Sequence, residues 1–299
     1  MNPLIHIGYP KTSTTWFQKQ FYPRVTDACF IGRDEVLGKI LRKDAFSFNP
    51  AVVSEYFTDH CHGRILICEE EILVDRRNNG IRIAENARRI NAVFPQADIV
   101  VIIRNQTDIM ASRYSQHILA GGTHSPDRYL FRQKTPYKNV TNDFILFEYD
   151  KVVTLYQNLF GTAHVHVFLF EQFAADNTSF LKEYCRIFDL KINLDTLNYQ
   201  PENPRLRKAL YPLARFMNIF TREKYAFKYY IIHLPGWYQV RTLLLQNLNR
   251  LSVMGSHPSS REVLGRRSFR FIEDYYRESN KTLSRMLPGL PLADHGYPM

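Results

Sequence analysis

Apolar residues fall into short unbroken runs separated by longer stretches of helical period. Leu4-Ile5-His6-Ile7-Gly8, Arg64 to Cys68, Ile99 to Ile103 and Val165 to Phe170 have the length and continuity of strands buried on both faces. Between and after them, Thr14 to Phe21, Ile81 to Phe94, Thr107 to Leu119, Asn142 to Phe160 and Ser179 to Phe188 repeat their apolar positions at helical spacing. Strands alternating with helices predict βαβ units: an α/β protein, built as a three-layer α/β/α sandwich on a central parallel sheet. Ligands of such folds sit at the carboxyl ends of the strands. No internal repeat interrupts the pattern, and residues 1–299 read as a single domain. Gly121 to Val140 has no period and carries Gly-Gly, Pro and several basic residues, as a surface loop over a substrate would.

Composition changes this picture mainly in the last third. The net charge of +10 is uneven: residues 201–299 hold 16 Lys and Arg against 7 Asp and Glu, which leaves the first 200 residues almost neutral. Between 205 and 250, nine basic and nine aromatic residues face one acid, Glu223. That segment predicts first a helical pair packed on the sheet with its Arg and Lys solvated, and otherwise a helical lid or an amphipathic surface resting peripherally on a membrane; the surplus itself points to an anionic partner. The four cysteines, Cys29, Cys61, Cys68 and Cys185, lack paired spacing, and no signal-like apolar stretch opens the chain, so the expectation is a cytoplasmic protein.

The richest local chemistry follows the first strand. Gly8-Tyr9-Pro10-Lys11-Thr12-Ser13-Thr14-Thr15-Trp16 sets one lysine and four successive hydroxyls where a strand turns into a helix. Helix N-terminal N–H groups, the positive end of the macrodipole and a lysine would together cradle phosphate oxygens. An ordinary helix cap needs one such hydroxyl. A Walker A loop would place its second Gly and its Lys at Ser13 and Thr14, so the usual ATP or GTP loop is disfavoured. A second pattern lies at Arg104, directly after Val100-Val101-Ile102-Ile103, with Ser112 eight residues on in the following helix. Arg104 could fork onto a phosphate while Ser112 donates from the helix.

Together these segments resemble the PAPS-dependent sulfotransferases, the enzymes that use 3′-phosphoadenosine 5′-phosphosulfate. Pro10, Lys11, Thr12, Thr14, Thr15 and Trp16 match the family's 5′-phosphosulfate loop, with Ser13 where many cytosolic members have Gly; Arg104 and Ser112 match its 3′-phosphate site. Gln106 replaces a Pro common after that Arg. Phe170-Glu171-Gln172-Phe173, and Tyr275 to Leu283 followed by Gly296-Tyr297-Pro298, are weaker echoes. The resemblance implies sulfuryl transfer from PAPS to a hydroxyl acceptor, with adenosine 3′,5′-bisphosphate as product, no metal and no nucleic-acid partner. It implies that Trp16 helps seat the adenine, and that one of Arg261, Arg266 and Arg267 closes over the nucleotide.

Family members take the general base from a His or Glu near the end of an early strand; here Glu69-Glu70-Glu71 follows Ile65-Leu66-Ile67-Cys68. Glu70 is the first choice, with Glu71 and Glu69 as alternatives, and Lys11 would neutralise the leaving oxygen. A carbohydrate or glycolipid is the expected acceptor. Two other classes stay open: a kinase-like phosphotransferase using the same loop, and a non-enzymatic module that binds membranes or nucleic acid through the basic third. His60-Cys61-His62 has no second cluster to complete a metal site. His117 and His124 flank Gly121-Gly122 as surface residues or acceptor contacts.

Overall fold

The computed structural model describes residues 1–73, 82–132, 144–199, 206–221 and 230–299. The chain opens with β1 (Leu4–Ile7) and α1 (Thr14–Trp16), which widens into a π-type turn over Phe17–Phe21. Next come β2 (Ala28–Ile31), α2 (Arg33–Val36), α3 (Pro50–His60), β3 (Arg64–Glu69) and α4 (Ile83–Val93). The central part is β4 (Asp98–Ile103), α5 (Gln106–Leu119), α6 (Tyr149–Phe160), β5 (Val165–Leu169), α7 (Phe170–Ala175) and α8 (Asn177–Phe188). Four helices close the chain: α9 (Leu210–Met217), α10 (Trp237–Arg250), α11 (Ser260–Leu264) and α12 (Arg266–Met286).

The five strands form one sheet in the order β2-β3-β1-β4-β5, parallel throughout. Alternate side chains enter two separate cores. Ile5, Ile7, Ile67, Ile99, Val101 and Ile103 face one helical layer that includes Ile90, Tyr156 and Ile272, from α4, α6 and α12. Leu4, Leu66, Cys68, Val100 and Ile102 face the other, with Trp16, Phe17, Leu181 and Tyr184. A strand that serves both cores has no polar face, which is why these runs read as continuous apolar sequence. The three-layer α/β architecture expected from the alternation is the one observed.

From β1 the chain runs outward to β2 and returns through β3; β4 then lies on the other side of β1. The winding reverses between β1 and β4, so the crevice beyond their carboxyl ends is the switch point where such sheets take ligands.

Three elements differ from expectation. The strand β2 is a half-buried edge whose alternation is too short to stand out, and α3 was not anticipated although Asn49 caps it by accepting from the N–H groups of Ala51 and Val52. The stretch after Gly121 is no plain surface loop: His124, Tyr129 and Leu130 are buried and Tyr114 Oη donates to the His124 carbonyl; its remainder, 133–140, lies outside the described residues. The basic segment 205–250 holds α9 and α10, and its residues 205 and 222–229 lie outside the described residues. Cys29 and Cys61 form a disulfide, while Cys68 and Cys185 are free thiols. Their separation of 32 residues gives no hint of this; the parallel pairing of β2 with β3 brings the end of α3 back beside β2.

Candidate active site at the sheet switch point

The segment 8–13 joins β1 to α1 at the switch point. Lys11 (φ 70°) and Ser13 (φ 61°) both hold the left-handed backbone, which non-glycine residues adopt only when the surroundings impose it. The imposing contacts are visible. Thr12 Oγ1 donates to the Tyr9 carbonyl at 2.7 Å and Thr14 Oγ1 to the same oxygen at 3.2 Å. A Cβ at Gly8 would lie 2.4 Å from Thr14 Oγ1, so glycine is what lets that hydroxyl lie across the loop. Two of the four hydroxyls therefore shape the turn, with Thr12 fully buried, while Ser13 is half-buried and Thr15 exposed. Pro10 and Lys11 are half-buried at the top of the loop.

Arg104, immediately after β4, spans the switch point: Nη1 donates to the Lys11 carbonyl at 2.9 Å. Its guanidinium lies 4.5 Å from the Phe170 ring centroid, and its own carbonyl accepts from Tyr149 Oη. Behind it, Glu171 receives the Asn105 N–H on one oxygen (2.8 Å) and Tyr297 Oη on the other (3.0 Å). Asn105 caps α5 by accepting from the Thr107 N–H at 3.0 Å, and donates through Nδ2 to the Gly296 carbonyl. The weak sequence echoes at Glu171 and Gly296-Tyr297 are thus one buttress behind Arg104. Gln106 belongs to it as well, exchanging hydrogen bonds with Asn280 of α12 at 2.7 and 3.1 Å.

Ser112 stands about 10 Å further along α5 by helical rise, half-buried on the same side as Asp108, whose carboxylate accepts from Ser260 of α11. Arg261, Arg266 and Arg267 are exposed around that helix; the last two line a cavity of about 440 Å³ with Pro126 and Asp127. Trp16 is a core residue: Nε1 donates to the Asn198 carbonyl at 2.6 Å and the ring stacks on Tyr199.

The three carboxylates end β3 beside this loop, Glu69 being paired in register with Ile7. Glu69 is fully buried; Oε1 accepts from Arg33 at 2.6 Å and from the Glu71 N–H at 2.8 Å, while Oε2 is buried without a hydrogen bond. Burial outweighs the attraction of Arg33 and pushes its carboxyl up to about 7. Glu71 is held between Arg33 and Arg42. Glu70 opens the turn beyond the strand and is half-buried. No cluster of potential metal ligands occurs among the described residues.

The fold and this edge define an α/β protein with a left-handed loop and Arg104 meeting at the sheet switch point. No family model matches the chain, and no curated protein matches it. Among solved structures it is similar to a sulfotransferase from Alicyclobacillus acidocaldarius, at 19% identity over 70% of this chain and 82% of that chain, with a TM-score of 0.38. At that level of likeness the function has to come from the chain's own residues.

Proposed function

We propose that this protein is a sulfotransferase that takes the sulfuryl group of PAPS and passes it to a hydroxyl acceptor, a carbohydrate or a glycolipid. The observation that carries the proposal is the bond from Arg104 to the Lys11 carbonyl across the switch point. It sets a guanidinium and a lysine, each on a fixed backbone, over one crevice, which suits a ligand with two anionic groups. The loop suits the 5′ end, where backbone N–H groups at the start of α1 and Lys11 meet phosphosulfate oxygens. Arg104, Ser112 and the basic start of α11 suit the 3′-phosphate.

PAPS supplies an activated sulfuryl group on an oxygen that leaves as a phosphate anion. Lys11 neutralises charge at that oxygen as the S–O bond breaks and the acceptor oxygen bonds sulfur in line. Glu70 takes the acceptor's proton. Glu69 is buried and Glu71 is held between Arg33 and Arg42, while Glu70 stands half-buried in the turn that follows β3, at the carboxyl end of the sheet. As in phosphoryl transfer, positioning and charge stabilisation supply most of the rate.

Calorimetric titration with adenosine 3′,5′-bisphosphate, ATP and AMP, repeated on Arg104→Ala, tests the donor side. Selective binding of the bisphosphate that the variant loses is the expected result. A preference for ATP would overturn the assignment in favour of a phosphotransferase.

A further inference from the structure

The outer face of α10 is built as a surface to be covered. Val240, Leu243 and Leu244 follow one another at helical spacing, with Leu251 exposed just past the end of the helix, and Leu243 is 61% exposed. Phe216, also 61% exposed, continues the face: its ring lies 5.4 Å from Phe220, which in turn lies 6.4 Å from Trp237 at the start of α10. Ile231, 62% exposed, lies in the segment tied next to Phe220, its N–H donating to the Ile219 carbonyl. Single exposed leucines are ordinary on soluble proteins, whereas a contiguous aliphatic and aromatic face marks an interaction site.

This face is firmly mounted. Arg241, on the opposite side of α10, is fully buried and donates to the last carbonyls of α5, at Ile118 (3.3 Å) and Leu119 (2.6 Å). Asn218 donates to the Ile118 and Gly122 carbonyls, and Trp237 Nε1 to the Met217 carbonyl at 2.9 Å. The exposure of Leu243 and Leu244 therefore belongs to a helix whose other side is already satisfied.

Charge decides what covers it. Residues 206–221 and 230–259 contain no Asp or Glu; of their basic residues Arg241 is buried and Lys208 is paired with Glu262, which leaves Arg207, Arg215 and the exposed Arg250 as the positive charge around the face. A second copy seated here would bring two such basic surroundings together, and like charges oppose that. A nucleic acid would answer the arginines and leave the aliphatic face wet. An anionic lipid surface answers both, taking the apolar ridge into its interface and the positive charge at its headgroups. We propose that the protein docks peripherally on anionic bilayers through the outer face of α10, with Phe216 and Ile231 beside it.

Sedimentation of the full chain with phosphatidylcholine vesicles, with and without phosphatidylglycerol, tests this without reference to transfer. Binding to the anionic vesicles is expected to exceed binding to the neutral ones by on the order of tenfold and to fall as salt is raised. Leu243→Ser with Leu244→Ser should weaken it by on the order of tenfold or more, and Leu243→Glu with Leu244→Glu further, with the circular dichroism of both unchanged. Equal partition of wild type and both variants, or no partition into anionic vesicles, overturns the proposal. So does a dimer of the wild type that the serine variant dissolves, since the second copy would then be the occupant.

Discussion

Both ends of the sheet carry charged residues, and they use them in opposite ways. At the amino end, Arg64 of β3 donates to the Asn2 and Phe188 carbonyls and to Asp98 at 2.9 Å, while Asp98 also receives His164 at 2.9 Å. These groups line a cavity of about 440 Å³ with His166, yet the buried guanidinium and the carboxylate are matched by partners inside the protein. At the carboxyl end, two residues hold left-handed backbone, Arg104 supports a carbonyl, and a buried carboxyl is raised to about 7 with one oxygen unpartnered. A charged sheet edge is thus not by itself a site. One end binds the structure together, and the other, where the proposed chemistry lies, holds left-handed backbone and a shifted protonation.

Substitutions at the two ends should therefore separate function from stability. The largest effect is expected for Lys11→Ala: release of adenosine 3′,5′-bisphosphate from PAPS with an accepted glycan falls by on the order of 10³-fold, while the melting temperature stays within a few degrees. Arg64→Ala should do the reverse, costing about 3 kcal/mol in denaturant unfolding because Asp98 loses a buried partner, with bisphosphate affinity unchanged. If either substitution moved both quantities, the division between the two ends would fail. Arg104→Ala sharpens the comparison, since on the proposed reading the residue meets the 3′-phosphate and it also supports the Lys11 turn; a loss of bisphosphate affinity of about 10²-fold is expected by titration calorimetry.

Glu69 gives the smallest and most specific effect. Its folded value of about 7 lies above the ordinary 4.5, so the folded chain keeps a proton that the unfolded chain has already released. The resulting stability is present at acid pH and is lost as pH rises through 7. Glu69→Gln should remove that slope, narrowing the difference in unfolding free energy between pH 5 and pH 8 by roughly 2 kcal/mol. A wild-type curve equally steep in the variant would assign the slope to other groups.

What the sequence discloses follows the range of each interaction. The strands β1, β3, β4 and β5 were legible because burial on two faces leaves an unbroken apolar run; the edge strand β2 leaves none. The loop from Gly8 to Trp16 was legible because its residues act within one turn of chain, although the inward use of the Thr12 and Thr14 hydroxyls depends on the carbonyl of Tyr9 and had no signal. Arg104 could be read from its place at the end of a strand. Its buttress could not, because Asn105, Glu171 and Tyr297 meet only after folding, and the Cys29–Cys61 bond is hidden for the same reason. Asn49-Pro50 is a readable start for α3, but the apolar positions that follow are too few to show a helical period.

The helix α5 also works as a ruler. Its first turn follows Arg104 at the cradle, and its last carbonyls are gripped by Arg241 beneath the apolar face of α10. Fourteen residues at helical rise make it about 21 Å long. If α10 docks on a bilayer as proposed, the lipid and the crevice lie at opposite ends of this rod, and a lipid-borne acceptor has to cross a gap set by its length and tilt.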